Sequence, residues 1–389
     1  MTGDGAKAGA TLGVLPEDPV RARTTRVNPT VEGLEATAYE IPTEAPESDG
    51  TLEWDSTTII IVEAFNGRER GIGYTYGDRA VAALIDSKLA DVVTGVDAMR
   101  PPAAWAAMRR ELRNAGQAGI GSMAASAVDI ALWDLKAHLL GVPLADALPR
   151  FRESVAIYGS GGFTSYDDRL LRQQLRGWIE SGIHSVKIKV GRDPEADPGR
   201  VAAAREEIGP NVELMVDANG AYTLPQALAL AERFAEREVS WLEEPLSSDD
   251  VDGLAELRTR SPAGMAIAAG EYVWSALDAH RLLEAGAVDV LQADVTRCGG
   301  ITDLLRIDGL CVARQTPFSA HCAPAVSAHA CCAMESVEHI EYFHDHVRIE
   351  SMLFDGAPQP HEGKLRPADS RVGLGLEPRP SVLEEYRLE

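Results

Sequence analysis

Three acidic residues close three successive short apolar runs, Asp217 in LMVDAN, Glu243 in SWLEEP and Glu271 in IAAGEY, at spacings of 26 and 28 residues. A spacing of that length is one strand plus one helix, and a chain that repeats it folds into a (β/α) barrel. Barrel enzymes carry their chemistry at the carboxyl ends of the strands, so the three acids are predicted to converge there. Three hard oxygen ligands at one point suit Mg²⁺.

One unit upstream, SVKIKVG places Lys187 and Lys189 on one face of a strand and Val186, Ile188 and Val190 on the other. Two ammonium groups pointing into a barrel need anionic partners. Each lysine, beside the other and near a dication, is expected to have its pKa lowered toward that of a usable base. Downstream, Asp294, His321 and Glu341 follow at steps of 23, 27 and 20 residues from Glu271, each ending a strand-like run. His321, one unit after Asp294, fits a dyad in which the carboxylate fixes the imidazole tautomer and raises its basicity. Taken singly, the acids read as helix N-caps or surface charges and His321 as a packed core histidine; their common phase sets them apart.

In order and spacing, VKIKV, VDAN, LEEP, GE, DVTRCGGIT and SAH resemble the enolase superfamily in its mandelate racemase subgroup, over residues 27 to 380. The resemblance implies an α/β fold, a modified (β/α)₇β TIM-type barrel with an N-terminal α+β capping domain. It implies Mg²⁺ held by Asp217, Glu243 and Glu271, with Glu244 behind the ligands. Lys189 becomes the proton-transfer base and Lys187 the holder of the substrate carboxylate. His321 with Asp294 forms a second acid–base group, Glu341 hydrogen-bonds the developing enolate, Asn219 touches substrate and Arg297 braces Asp294. The chemistry implied is removal of the proton α to a carboxylate. Within the subgroup, dehydration of a sugar acid to a 2-keto-3-deoxy acid is favoured, because many members with the Lys-x-Lys and His-Asp pattern use polyhydroxy acids. A racemase or epimerase of a 2-hydroxy acid is the alternative, muconate-type cycloisomerisation ranks below it, and a barrel that binds a metabolite without turnover ranks lowest.

Residues 1–25 read as a disordered tail. A capping domain is expected over 26–145, built from the strands VEGLEATAYEI, STTIIIVEAF and GIGYTYG and from helices over 81–138, with IPTEAPESDGTLEWDS as a loop. The barrel is expected over 146–360, with strands starting near Val155, Ser185, Val212, Ser240, Ala266, Val288, Pro317 and Glu338. Residues 361–389 are expected to return to the cap. Substrate specificity is expected in cap positions 40–55 and 71–79.

Acidic residues outnumber basic ones, 60 to 37, for a formal net charge of −23. Such a field repels nucleic acids and anionic membranes, which leaves a small-molecule carboxylate, captured by local cations, as the expected partner. The five cysteines form no C-x-x-C pair, the start of the chain carries no secretory pattern, and no apolar run reaches membrane-spanning length. The expected setting is the cytoplasm, and the family implies a homo-oligomer of two to eight copies. No convincing dinucleotide fingerprint is present, so no redox cofactor is expected.

Overall fold

The computed structural model describes residues 29–67 and 69–388; the tail expected over 1–25 lies outside them. Strands β1 (Gly33–Ser48), β2 (Glu53–Asn66) and β3 (Glu69–Tyr76) form an antiparallel sheet with β2 in the centre. β2 is apolar through Ile59-Ile60-Ile61-Val62 because both its faces are covered. Ile60 and Val62 pack with the cap helices, whereas Ile59 and Ile61 join the core shared with the barrel. The helix Ile120–Leu140 presses on β3 at Gly71 and Gly73. A Cβ at these glycines would lie 2.2 Å and 2.1 Å from the backbone oxygens of Ala131 and Ala127, so only glycine admits the helix.

The segment expected to be a loop is largely strand. β1 runs on through Ile41–Ser48, with a register shift between Pro42 and Glu47. β1 is an edge strand, where proline leaves no central ladder bond unmade, and the irregularity bends the strand end over the barrel.

The barrel strands are β4 (Val155–Gly161), β5 (Ser185–Lys189), β6 (Glu213–Asp217), β7 (Val239–Glu243), β8 (Ala266–Ala269), β9 (Val290–Asp294), β10 (Phe318–His321) and β11 (Val337–Phe343). They pair in chain order, all parallel, and β11 pairs with β4 to close the ring. Outward residues such as Val186, Ile188, Leu214 and Val216 are buried under the surrounding helices. Inside, Tyr158, Met215, Trp241, Ala268 and Val290 fill the barrel, so the interior is a packed floor beneath the strand ends. Beyond the barrel, Lys364–Leu365 pairs antiparallel with the start of β4, and the Leu388 amide donates to the Ala38 carbonyl of β1 at 3.0 Å. Among the described residues, no helix is long and apolar enough to cross a membrane.

Candidate active site

Strand register assembles the site. Lys189 stands opposite Asp217 and Asp217 opposite Glu243 across three neighbouring parallel strands, so their side chains share one face and one height. Across the ring, His321 stands opposite Asp294. Two acids depart from the strand-end expectation. β8 stops at Ala269, and Glu271 enters from the following loop through Gly270 at φ +136°. A Cβ at Gly270 would sit 2.0 Å from the Gln292 carbonyl, so the path exists only for glycine. Glu341 lies two residues inside β11, at the level of Tyr158 on β4.

All the principal groups are buried. Lys187 Nζ lies 2.5 Å from Glu243, 2.9 Å from Glu341 and 3.6 Å from Asp217, and Lys189 Nζ lies 2.5 Å from Asp217. His321 Nδ1 is 2.9 Å from Asp294; with the proton on Nδ1 donated there, Nε2 faces Glu271 at 3.3 Å and Glu341 at 3.5 Å. Asp294 is held in turn by the amide and hydroxyl of Thr296, each at 2.7 Å. Glu341 thus stands between Lys187 and His321, with the Ser160 hydroxyl donating to it at 2.5 Å.

Asp217, Glu243 and Glu271 each offer a carboxylate oxygen, and the three atoms lie within 4.8 Å of one another. The set fits a hard divalent cation in donor type and spacing. The electrostatics agree: burial and the adjacent Asp217 push Glu243 up to about 8. Glu244, whose Oε1 is buried without a hydrogen-bond partner, is raised by burial and by Glu271, Asp217 and Glu243. Two lysines do not neutralise so many acids, and positive charge at the trio would relieve them.

The expected lowering of the lysine pKa values is not what the protein's own groups produce. Burial acts in that direction, but Glu243 and Glu341 carry Lys187 well above its ordinary value, and Asp217 does the same for Lys189. The carboxylates outweigh both desolvation and the lysine–lysine repulsion. His321 behaves alike: burial opposes its charge, yet Cys322, Glu341 and Glu271 hold the imidazole well above its usual range.

Arg297 links two parts of the site, with Nη1 3.8 Å from Glu271, Nε 3.7 Å from Asp294 and its guanidinium over the Tyr272 ring. Asn219 turns at φ +45°, donates its amide to Asp217 at 3.0 Å and leaves its buried Oδ1 without a partner. Sequence reasoning missed Ser160, Trp241, whose indole donates to Glu243 at 2.9 Å, and Cys322. The Cys322 amide donates to Glu341 at 3.2 Å, and its Sγ lies 3.4 Å from both His321 and Glu341. Only its place directly after His321 in FSAHCAP signals this.

Two family models match the chain: mandelate racemase/muconate lactonizing enzyme, N-terminal domain, over residues 40–148, and enolase C-terminal domain-like over residues 170–382. The chain belongs to the mandelate racemase/muconate lactonizing enzyme family of the enolase superfamily. A solved family structure, a mandelate racemase/muconate lactonizing enzyme-like protein from Rubrobacter xylanophilus, is 63% identical, with a TM-score of 0.91 over 92% of this chain and 100% of that one. The 3,6-anhydro-α-L-galactonate cycloisomerase of Streptomyces coelicolor is 32% identical over 325 residues, covering 81% of this chain and 88% of the relative. L-talarate/galactarate dehydratase of Salmonella typhimurium is 30% identical over 366 residues, 89% and 88% of the two chains. Its structure liganded with Mg and L-lyxarohydroxamate superposes with a TM-score of 0.86 at 27% identity, over 98% of each chain. Family members of known activity thus include sugar acid dehydratases and cycloisomerases.

Proposed function

We propose that this protein is a Mg²⁺-dependent lyase that removes the α-proton of a sugar acid and expels the β-hydroxyl, giving a 2-keto-3-deoxy acid. The observation that carries the reading is the convergence on one barrel mouth of the Asp217–Glu243–Glu271 trio with Glu341, which stands between Lys187 and His321, 2.9 Å and 3.5 Å away. Lys189 on β5 and His321 on β10 are the two candidate proton-transfer groups, carried by different strands of the ring.

In this reading Asp217, Glu243 and Glu271 hold Mg²⁺, whose charge offsets the negative charge that develops on the substrate carboxylate and draws the trio's field away from the lysines. Lys187 holds that carboxylate, and Asn219 contacts substrate. Lys189 Nζ takes the α-proton. His321, kept in orientation by Asp294 at Nδ1, gives a proton from Nε2 to the departing β-hydroxyl, and Glu341, taking up a proton as the substrate carboxylate comes against it, donates a hydrogen bond to that carboxylate as its charge grows. The enol left behind takes a proton at C3 and becomes the keto acid. Arg297 and Glu244 set the electrostatics around these groups.

The proposal includes a cap over 26–145, a barrel over 146–360 and a return segment over 361–389. It also includes an assembly of two to eight copies and a reducing compartment, the last supported by five buried free cysteines. The test is a screen of C4 to C6 sugar acids with Mg²⁺ for 2-keto product, run in D₂O. Keto acid carrying deuterium at C3 is expected. Loss of optical activity of a simple 2-hydroxy acid without keto product would instead make the enzyme a racemase, and ring opening or closure without loss of water would make it a cycloisomerase.

A further inference from the structure

β10 ends at His321, and the chain leaves it through two residues in the left-handed region, Cys322 at φ +50° and Ala323 at φ +44°. Successive side chains of a strand point to opposite faces, but this turn brings the thiol beside the imidazole, with Cys322 Sγ 3.4 Å from His321 Nε2. The turn is held on several sides. The Cys322 amide donates to Glu341 at 3.2 Å, the Cys322 carbonyl accepts from the Ser327 hydroxyl at 2.9 Å, and the Ala323 amide donates to His346 at 3.3 Å.

Three donor atoms of different kinds close a triangle here. Cys322 Sγ is 3.4 Å from both His321 Nε2 and Glu341 Oε2, and Nε2 is 3.5 Å from that same oxygen. A tetrahedral Zn²⁺, with bonds of about 2.3 Å to sulfur and about 2.0–2.2 Å to nitrogen and oxygen, holds such ligands roughly 3.3–3.7 Å apart. All three edges fall in that range. Hydrogen bonding does not account for the whole figure, because a thiol and an Nε2–H carry two protons for three edges.

The other polar atoms of these side chains are engaged elsewhere. His321 Nδ1 is bound to Asp294 at 2.9 Å, the arrangement that orients metal-ligating imidazoles. Glu341 directs Oε1 to Lys187 and to the Ser160 hydroxyl, which leaves Oε2 to the triangle. Glu271 Oε2 stands 3.3 Å from Nε2, a further acidic oxygen within reach. Cys322 and His321 are 3% and 6% exposed, shielded without being sealed. Burial and the Glu341 charge hold the thiol above its ordinary range, so it is no free nucleophile; a cation beside it reverses that balance.

We propose that Cys322 Sγ, His321 Nε2 and Glu341 Oε2 form a second metal site, selective for Zn²⁺ over Mg²⁺, and that zinc bound there stops the enzyme. A thiolate and an imidazole favour a borderline-soft ion, whereas the Asp217–Glu243–Glu271 trio offers oxygen alone. On binding, Zn²⁺ replaces the protons of the thiol and of Nε2, which leave to solvent. The inhibition rests on the proposed role of His321. With its lone pair on the metal, Nε2 has no proton to give to the departing β-hydroxyl, and Glu341 is tied to the ion instead of the substrate carboxylate.

The experiment uses the full chain in saturating Mg²⁺, with Co²⁺ as the probe, since thiolate ligation gives a near-ultraviolet charge-transfer band that oxygen ligands do not. One equivalent of band-forming Co²⁺ is expected, displaced by Zn²⁺, weakened in His321→Asn and lost in Cys322→Ser, with folding of each variant checked by its melt. Zinc should inhibit keto-acid formation. Taking each rate relative to the same protein without zinc, Cys322→Ser should raise the inhibitory concentration by roughly 10- to 100-fold or more, since loss of even an outer partner of a metal ligand costs that much. Cobalt titration of the unmutated chain and of His321→Asn decides the site if Cys322→Ser does not fold. Absence of the band, a band undiminished in either variant, zinc that fills the site without slowing turnover, or equal inhibition with and without the thiol overturns the proposal while leaving dehydration standing. A Cys322-dependent band in a protein that makes no keto acid from any sugar acid upholds the site and removes dehydration.

Discussion

Two regions bury carboxyl groups equally deeply, and only one of them sets cations against some of these groups. At the barrel mouth, Glu341 and Asp294 are opposed by burial but held below the ordinary carboxylate range, Glu341 by Lys187, His321 and Lys189, Asp294 by its bond to His321. Along the seam between cap and barrel, the partners are amides and hydroxyls. Asp129 accepts from the Thr302 amide and hydroxyl at 2.9 Å and 2.6 Å, and burial pushes it to about 7. Glu350 accepts from the Tyr74 hydroxyl and, at 3.1 Å, from the Ala325 amide, and burial pushes it to about 8. Depth alone therefore does not decide whether a buried acid is charged; the partners do. The mouth keeps Glu341 and Asp294 charged through its cations and leaves Glu243 and Glu244 raised beside other acids, whereas the seam holds two domains through amide and hydroxyl donors.

The largest effect should come from removing one anion of the mouth. Asp217→Asn is expected to lower kcat by about a thousandfold or more and to abolish Mg²⁺ binding by calorimetry while the thermal melt persists. Full turnover in excess chelator would break the contrast at its charged end. Next come the two proton-transfer groups, where loss of one costs on the order of 10²- to 10⁴-fold. Lys189→Met and His321→Asn should each spare α-proton exchange for a different substrate stereoisomer, followed by NMR in D₂O. Equal losses for every isomer would reduce the pair to a single base.

At the seam the expected changes are in stability rather than rate. Glu350 has a native pKa raised from 4.5 to about 8, so the native state holds a proton that the unfolded chain releases. Its stabilising contribution is full below pH 4.5, declines above it and is lost as the pH rises through about 8. Glu350→Gln should flatten the dependence of melting temperature on pH across that window; an unchanged slope would mean that Glu350 is already ionised in the native state. The smallest effect is expected for Thr302→Val, which takes one donor from Asp129 and leaves the Trp133 indole without its 2.9 Å acceptor. It should cost about 1–3 kcal/mol in denaturant melts, with kcat nearly unchanged.

The mouth was far more legible in the sequence than the seam. Parallel strands in sequential order convert chain spacing directly into adjacency, so Lys189, Asp217 and Glu243 announce themselves by their phase alone. Glu271 and Glu341 were found by the same spacing although neither closes its strand, because a shift of two residues is small against a repeat of 20 to 28. The raising of the lysine pKa values by the protein's own groups could not be read from spacing, because it comes from acids that lie within 3 Å. The course of β1 past Pro42 was hidden by a composition typical of loops; the pairing that keeps it extended comes from β2. Cys322 and Ser160 carry no pattern of their own, and their role comes only from touching Glu341. Gly159 carries no such pattern either, yet it is where Trp178 packs, with an added Cβ only 2.5 Å from the indole.

The late pairing of Lys364–Leu365 with β4, and of Leu388 with Ala38, has a consequence for the order of events in folding. The first barrel strand and the first cap strand each gain a hydrogen-bonded neighbour from more than 200 residues further along the chain. Such contacts carry a large loop-closure entropy and form late, which slows folding and lengthens the time that strand edges stand open. While the chain emerges from the ribosome, β1 and the start of β4 wait for those partners, and the protein is at its most vulnerable to chaperone capture or aggregation in that interval.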